Sequence, residues 1–215
     1  MAEELSNDHP MNAASTPLAL PSETADGGAD AAWAARLAAR DPEALREVIA
    51  AHAARLHRIA WRMTGDTAEA EDIVQEALLR LWDQAPRIAE RHPPGSRVAA
   101  GLRLGGWLQR VATNLAIDRL RRARRLAEGE VPERADEAPL ADATVAARQE
   151  GALARALIAA LPERQRAAIV LTYYEELPNA EAAAALDMNI KAFESLLHRA
   201  RAALRQVLAA REGGE

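Results

Sequence analysis

Five polar side chains set the question. Arg110, Asn114, Asp118, Arg121 and Arg125 stand four, four, three and four residues apart. On a helix this spacing places them in one stripe. Arginines in such a stripe can neutralise phosphates, while Asn and Asp offer donors and acceptors to base edges. The same pattern also describes the solvated flank of an ordinary amphipathic helix. Charge favours the nucleic-acid reading. Residues 97–125 hold eight arginines against one acid, a net of +7 in a chain of net −5.

The stripe needs a helix to carry it. Residues 107–125 contain no Gly or Pro, and Trp107, Leu108, Val111, Ala112 and Leu115 recur at helical spacing on what would be the core face. Acid brackets this segment. Residues 1–30 carry six acids and no Lys or Arg, and residues 126–150 carry seven acids and two arginines. A chain of 215 residues, 49% hydrophobic, 3% aromatic and rich in Ala, is expected to be all-α, with one large or two small domains. The absence of cysteine excludes disulfides and thiolate metal sites. No apolar run approaches the ~20 residues that span a bilayer. No secretory signal is evident, so a cytoplasmic location without membrane insertion is expected.

In chain order, residues 1–30 lack periodicity and read as a disordered extension. Asp41-Pro42 is a helix start, with Asp as N-cap and Pro at the first helical position. Leu45, Val48, Ile49, Leu56, Ile59 and Ala60 continue it to Gly65. His52 and His57 lie in this helix without a third metal ligand, and read as surface or boundary residues. Asp66 with Glu69 resembles a capping box for the next helix. Its buried stripe would be Ala70, Ile73, Val74, Ala77, Leu78 and Leu81. Its other side presents Asp72, Gln75, Glu76 and Leu79, an apolar centre with a polar rim that suits a protein partner. Pro86, His92-Pro93-Pro94-Gly95 and the glycines 101, 105 and 106 predict a loop over 83–106 that could hold an unstacked base.

Beyond Arg125 the chain turns acidic. Pro132 and Pro139 mark a linker. Helices resume near Arg148. Pro162 opens one, Asn179 is expected to cap a short helix over Ala180–Leu186, and Asn189 to cap a long last helix after the turn Asp187-Met188-Asn189. This is a helix-turn-helix pattern. The exposed side of its second helix would show Lys191, Ala192, Glu194, Ser195, His198, Arg199 and Arg201.

Taken in order, these segments resemble the sigma factors of bacterial RNA polymerase, of the extracytoplasmic-function type within the sigma-70 family. Asp41-Pro42-Glu43-Ala44 resembles the start of the region 2 domain. Asp72 through Trp82 resembles the segment that binds the polymerase clamp. Trp107 through Arg122 resembles the segment that melts and reads the minus-ten element. Leu161 through Arg166 and Leu197 through Arg205 resemble the two ends of the region 4 domain, which reads the minus-thirty-five element. Glu194 departs from the usual Lys or Arg, Leu196 from a common Arg, and Asp187 from the usual turn Gly.

The resemblance implies two small helical domains: region 2 over 31–127 and a region 4 helix-turn-helix over 150–210, joined by a flexible acidic linker over 128–149. Counted from Leu126 to Gln149, the linker could reach roughly 80 Å at ~3.3 Å per residue. That would bridge promoter elements about two helical turns, or ~70 Å, apart. The resemblance further implies polymerase contacts at Asp72, Gln75, Glu76 and Leu79. Minus-ten contacts would fall to Arg110, Asn114, Asp118, Arg121, Arg122 and Arg125, and minus-thirty-five contacts to Lys191, Glu194, Ser195, His198, Arg199 and Arg201. RNA polymerase core, promoter DNA and an anti-sigma factor are the expected partners. No catalytic residues, metal or cofactor are expected, because no nucleophile–base pair, phosphate loop or ligand cluster stands out. Two other readings stay open: a helix-turn-helix regulator that acts without polymerase, and a protein–protein adaptor on a sigma-like fold.

Overall fold

In the computed structural model, which describes residues 27–127 and 145–212, all regular structure is helical. Four helices form a first bundle: α1 Gly27–Ala38, α2 Pro42–Thr64, α3 Thr67–Arg91 and α4 Leu104–Ala127. Its centre is filled by Leu37, Leu56, Ile59, Met63, Ile73, Leu81, Leu104 and Leu108, all fully buried. The second bundle comprises α5 Val145–Ala159, α6 Glu163–Ile169, a π-helical turn Val170–Tyr174, α7 Asn179–Ala185 and α8 Ile190–Glu212. Phe193, Leu171 and Leu186 are its innermost side chains. The linker expected over 128–149 lies outside the described residues as far as 144. From 145 onward it is helical, because α5 starts three residues before Arg148.

Local chemistry explains the helix starts. Asp41 Oδ1 accepts from Glu43 N at 2.9 Å, with Pro42 as the first helical residue, and Gly65 closes α2 at φ 75. Asp66 Oδ1 accepts from Glu69 N at 2.9 Å. The reciprocal half of the expected capping box is missing, since the Glu69 carboxylate reaches Arg119 at 2.6 Å instead. Asn179 is the first residue of α7, and the flanking Pro178 makes no side-chain cap. Asn189 does cap α8, its Oδ1 accepting from Ala192 N at 2.9 Å.

Three expectations need correction. The stretch read as disordered to residue 30 is helical from Gly27, and Asp30 is buried. The loop expected from 83 shrinks to residues 92–103, with a 3₁₀ turn at Ala99–Gly101, because α3 runs through Pro86 to Arg91. A proline at that position removes the N–H that would bond the Trp82 carbonyl four residues back. Arg40 Nη1 donates to that carbonyl at 2.9 Å, and its guanidinium lies 5.0 Å from the Trp82 ring centre. A donor from the turn between α1 and α2 therefore replaces the missing one. Finally, α4 begins at Leu104, so Gly105 and Gly106 are helical. At Gly105 a Cβ would stand 3.1 Å from His52 Cε1. The glycine lets α4 approach α2 closely where His52 is half-buried and edge-on to Trp33, ring centres 6.0 Å apart.

Candidate functional site

The basic helix α4 is held from both ends of the sequence pattern. Leu108, Ala112 and Leu115 are buried, while Trp107 and Val111 pack half-buried at the edge of the core. Its first N–H, on Leu104, donates to Asp30 Oδ2 at 2.9 Å. Asp30 thus satisfies an orphan donor and sets negative charge at the positive end of the helix. Nothing in the local pattern marks this residue, since it lies 74 positions upstream.

On the outer side of α4, Asp118, Arg121, Arg122 and Arg125 are exposed, and Arg125 Nε donates to Arg121 O at 3.3 Å. Arg110 is exposed and Asn114 half-buried. Both reach Asp187 in the turn between α7 and α8: Arg110 Nη2 is 2.6 Å from Oδ1, and Asn114 Nδ2 donates to Oδ2 at 3.2 Å. The stripe is thus assembled as expected, with its first two members occupied by the other bundle.

Two further arginines of α4 pair with acids of the protein itself. Arg124 Nη1 lies 3.4 Å from Glu163 Oε1. Arg119 turns toward α3, 2.6 Å from Glu69, 3.5 Å from Asp72 and 3.4 Å from Glu76. The Glu69 hydrogen bond in particular holds its guanidinium above the usual range, against the opposing effect of burial. Of the face proposed for a protein partner, Gln75 and Leu79 are therefore the free centre, Leu79 being 62% exposed. Asp72 and Glu76 form its flank, tied to Arg119, with Glu76 also 2.6 Å from Arg80.

On α8, Lys191, Glu194, Ser195, His198, Arg199 and Arg201 are all exposed on one side. Glu194, Ser195, His198 and Arg199 line a shallow depression. Arg201 Nε donates to Tyr173 Oη at 2.5 Å, so a tyrosine from the π-helical turn orients it. Leu196 is buried on the opposite side and belongs to the core. Among the described residues no cluster of three His, Cys, Asp or Glu is placed to hold a metal, and no helix is long and apolar enough to cross a membrane.

The sequence matches sigma-70 region 2 over residues 48–126 and sigma-70 region 4 over residues 152–204. It is 34% identical over 167 residues to the ECF RNA polymerase sigma factor SigE of Mycolicibacterium smegmatis, covering 76% of this chain and 61% of that protein. With the ECF RNA polymerase sigma factor SigL of Mycobacterium tuberculosis it shares 35% identity over 176 residues, 80% of this chain and 92% of that one. Among solved structures, CnrH in complex with the cytosolic domain of CnrY is similar at 27% identity and a TM-score of 0.58, covering 85% of this chain and 98% of CnrH.

Proposed function

The chain belongs to the extracytoplasmic-function sigma factors of the sigma-70 family, and on that premise we propose that it is a promoter-specificity subunit that directs bacterial RNA polymerase core to a set of promoters. It has no chemistry of its own in this reading. Its work is recognition, in the cytoplasm where polymerase and DNA meet. Core polymerase docks on Gln75 and Leu79, flanked by Asp72 and Glu76. Asn114 and Asp118 read an extruded minus-ten base while Arg110, Arg121, Arg122 and Arg125 hold phosphates. Lys191, Glu194, Ser195, His198, Arg199 and Arg201 face the minus-thirty-five duplex. An anti-sigma factor is the proposed inhibitor, as membership of this family implies.

The observation that supports this best is the α4 helix. One face is built into a core, and the other carries arginines without acids of its own beyond Asp118. A regulator that used only the helix-turn-helix would have no need of that surface.

The test is co-purification with core polymerase followed by a promoter-opening assay on mapped start sites. Replacing Gln75 and Leu79 together by Ala should lower core affinity with helicity intact, because both side chains are exposed. Asn114→Ala should relax sequence choice at one position, by the ~1–3 kcal/mol of a polar base contact. Arg121→Ala should weaken binding on all sequences alike and flatten the salt slope by roughly one unit. Binding to duplex DNA without polymerase, and no promoter opening with it, would overturn the proposal.

A further inference from the structure

The two bundles touch through charged groups that have other work to do. Asp187 stands at the apex of the helix-turn-helix at φ 52, a left-handed conformation that Asp adopts more readily than most residues. The turn beneath it is braced by Asp187 N donating to Ala184 O at 3.2 Å and Met188 N donating to Ala183 O at 2.9 Å. It therefore presents its carboxylate on a firm support. One oxygen takes the Arg110 guanidinium and the other the Asn114 amide. An anion with two oxygens held by an arginine and an amide is also how a phosphodiester would sit on this stripe.

Other contacts hold the same closure. The Glu175 side chain is 2% exposed, and its Oε2 lies 3.2 Å from Arg55 Nε and 3.4 Å from Arg58 Nη2, both on α2 of the first bundle. Arg55 Nη2 also donates to the Glu175 carbonyl at 3.1 Å. Arg166 Nη1 donates to Met63 O at 2.5 Å. The outward face of α8 and the Gln75–Leu79 centre stay uncovered. Only the start of the α4 stripe is masked.

Geometry makes the closed form and promoter reading mutually exclusive. With Asn114 3.2 Å from the helix-turn-helix, the two reading surfaces cannot address DNA sites about two helical turns apart. We propose that Asp187 acts as an intramolecular stand-in for a nucleic-acid phosphate, latching the region 4 turn onto Arg110 and Asn114 so that the free chain is kept off single-stranded DNA until the two bundles separate. The proposal rests on the reading of α4 as the strand-binding face. The latch is releasable because Arg110 and Asp187 are each about half exposed (52% and 46%) and are screened by water and salt. A partner that draws the bundles apart frees both stripe residues at once.

The native chain has no cysteine, so E90C and Q206C, both at exposed positions, give a unique spin-label pair across the two bundles. The full-length chain should show one narrow distance. D187N keeps the left-handed turn accessible and removes the charge. It should broaden and lengthen that distance, and raise affinity for a random single-stranded DNA of about 20 nucleotides by about fivefold, since apparent affinity scales with the open fraction. Exchanging the charges, R110D with D187R, should restore the narrow distance of the native chain and abolish the gain in DNA affinity. Thermal melts identify any variant that fails to fold, and the salt dependence of the wild-type distance supplies a readout that needs no substitution. A D187N chain with unchanged distance and affinity refutes the latch. A D187N chain that opens without gaining affinity, while Arg121→Ala still weakens DNA binding, refutes the masking but spares the strand-binding face. If Arg121→Ala has no effect either, the strand-binding face itself is refuted.

Discussion

Replacing Asp30 by Ala removes the acceptor of the first N–H of α4. That N–H belongs to Leu104, which is fully buried, and Asp30 is itself only 8% exposed. Water therefore has little access to the orphaned donor. Loss of a helix cap costs ~0.5–2 kcal/mol, and a buried donor left unpaired costs ~1–3 kcal/mol. These describe the same event and are not summed, so ~2 kcal/mol is the expected loss. For a bundle of about 100 residues, ~4–8 °C per kcal/mol gives a melting point lower by roughly 10 °C. Asp30→Asn keeps an acceptor but loses the charge at the helix N-terminus, worth ~0.3–1 kcal/mol, and should fall by less than half as much. Circular dichroism melts give the stability, and hydrogen exchange gives the location. The amides of residues 104–108 should exchange faster in Asp30→Ala than in the parent, while those of α8 should not. The stripe begins at Arg110, within two turns of the frayed end, so open-complex formation should suffer before the bundle melts. A melting point within about 2 °C of the parent, with unchanged exchange at 104–108, would refute the reasoning, because it would mean the Leu104 N–H does not depend on Asp30.

The Pro86 arrangement predicts a coupled pair. Arg40→Ala alone should cost ~0.5–1.5 kcal/mol by leaving the Trp82 carbonyl without its donor. In a Pro86→Ala background, where the helix supplies its own N–H, the same change should cost clearly less, and additive melting shifts in the double mutant would contradict the account. The α1–α2 junction should loosen in acid. The Arg36 hydrogen bond above all, and then the Glu43 N–H, hold the Asp41 carboxyl below its ordinary range. The Trp33 indole N–H first, and then Arg36, do the same for Glu47. Both carboxyls are depressed in the folded state. Their contribution is therefore fully present above the unfolded values near ~4 and is lost as pH falls through the lower folded values. The Trp33 indole signal should shift in that acid window. Arg36→Gln should move both titrations back toward ordinary carboxylates, and titrations unmoved by that change would remove Arg36 as a cause.

The features legible before folding were local. Asp41-Pro42, Asp66 and Asn189 are caps that need only the next three residues, and the periods of α2, α3, α4 and α8 need only their own side chains. The stripe from Arg110 to Arg125 is legible for the same reason, because helical spacing alone aligns it. The tertiary structure decided everything that depends on which helices are neighbours. Pro86 reads as a helix breaker until Arg40, 42 residues upstream of Trp82, donates to the Trp82 carbonyl that the proline leaves without its N–H. Asp30 reads as tail until α1 packs beside the start of α4. Arg119 has the same local pattern as Arg121 and Arg122, yet it faces Glu69, Asp72 and Glu76 because α3 lies along that side of α4. Asp187 reads as a turn residue, and only the packing of the second bundle against the first brings its carboxylate to Arg110 and Asn114. Charge and hydrogen-bonding capacity are properties of a residue. Whether they are spent on DNA, on polymerase or on the protein's own fold is set by what lies within about 3 Å of them, a length at which hydrogen bonds act and sequence distance carries no information.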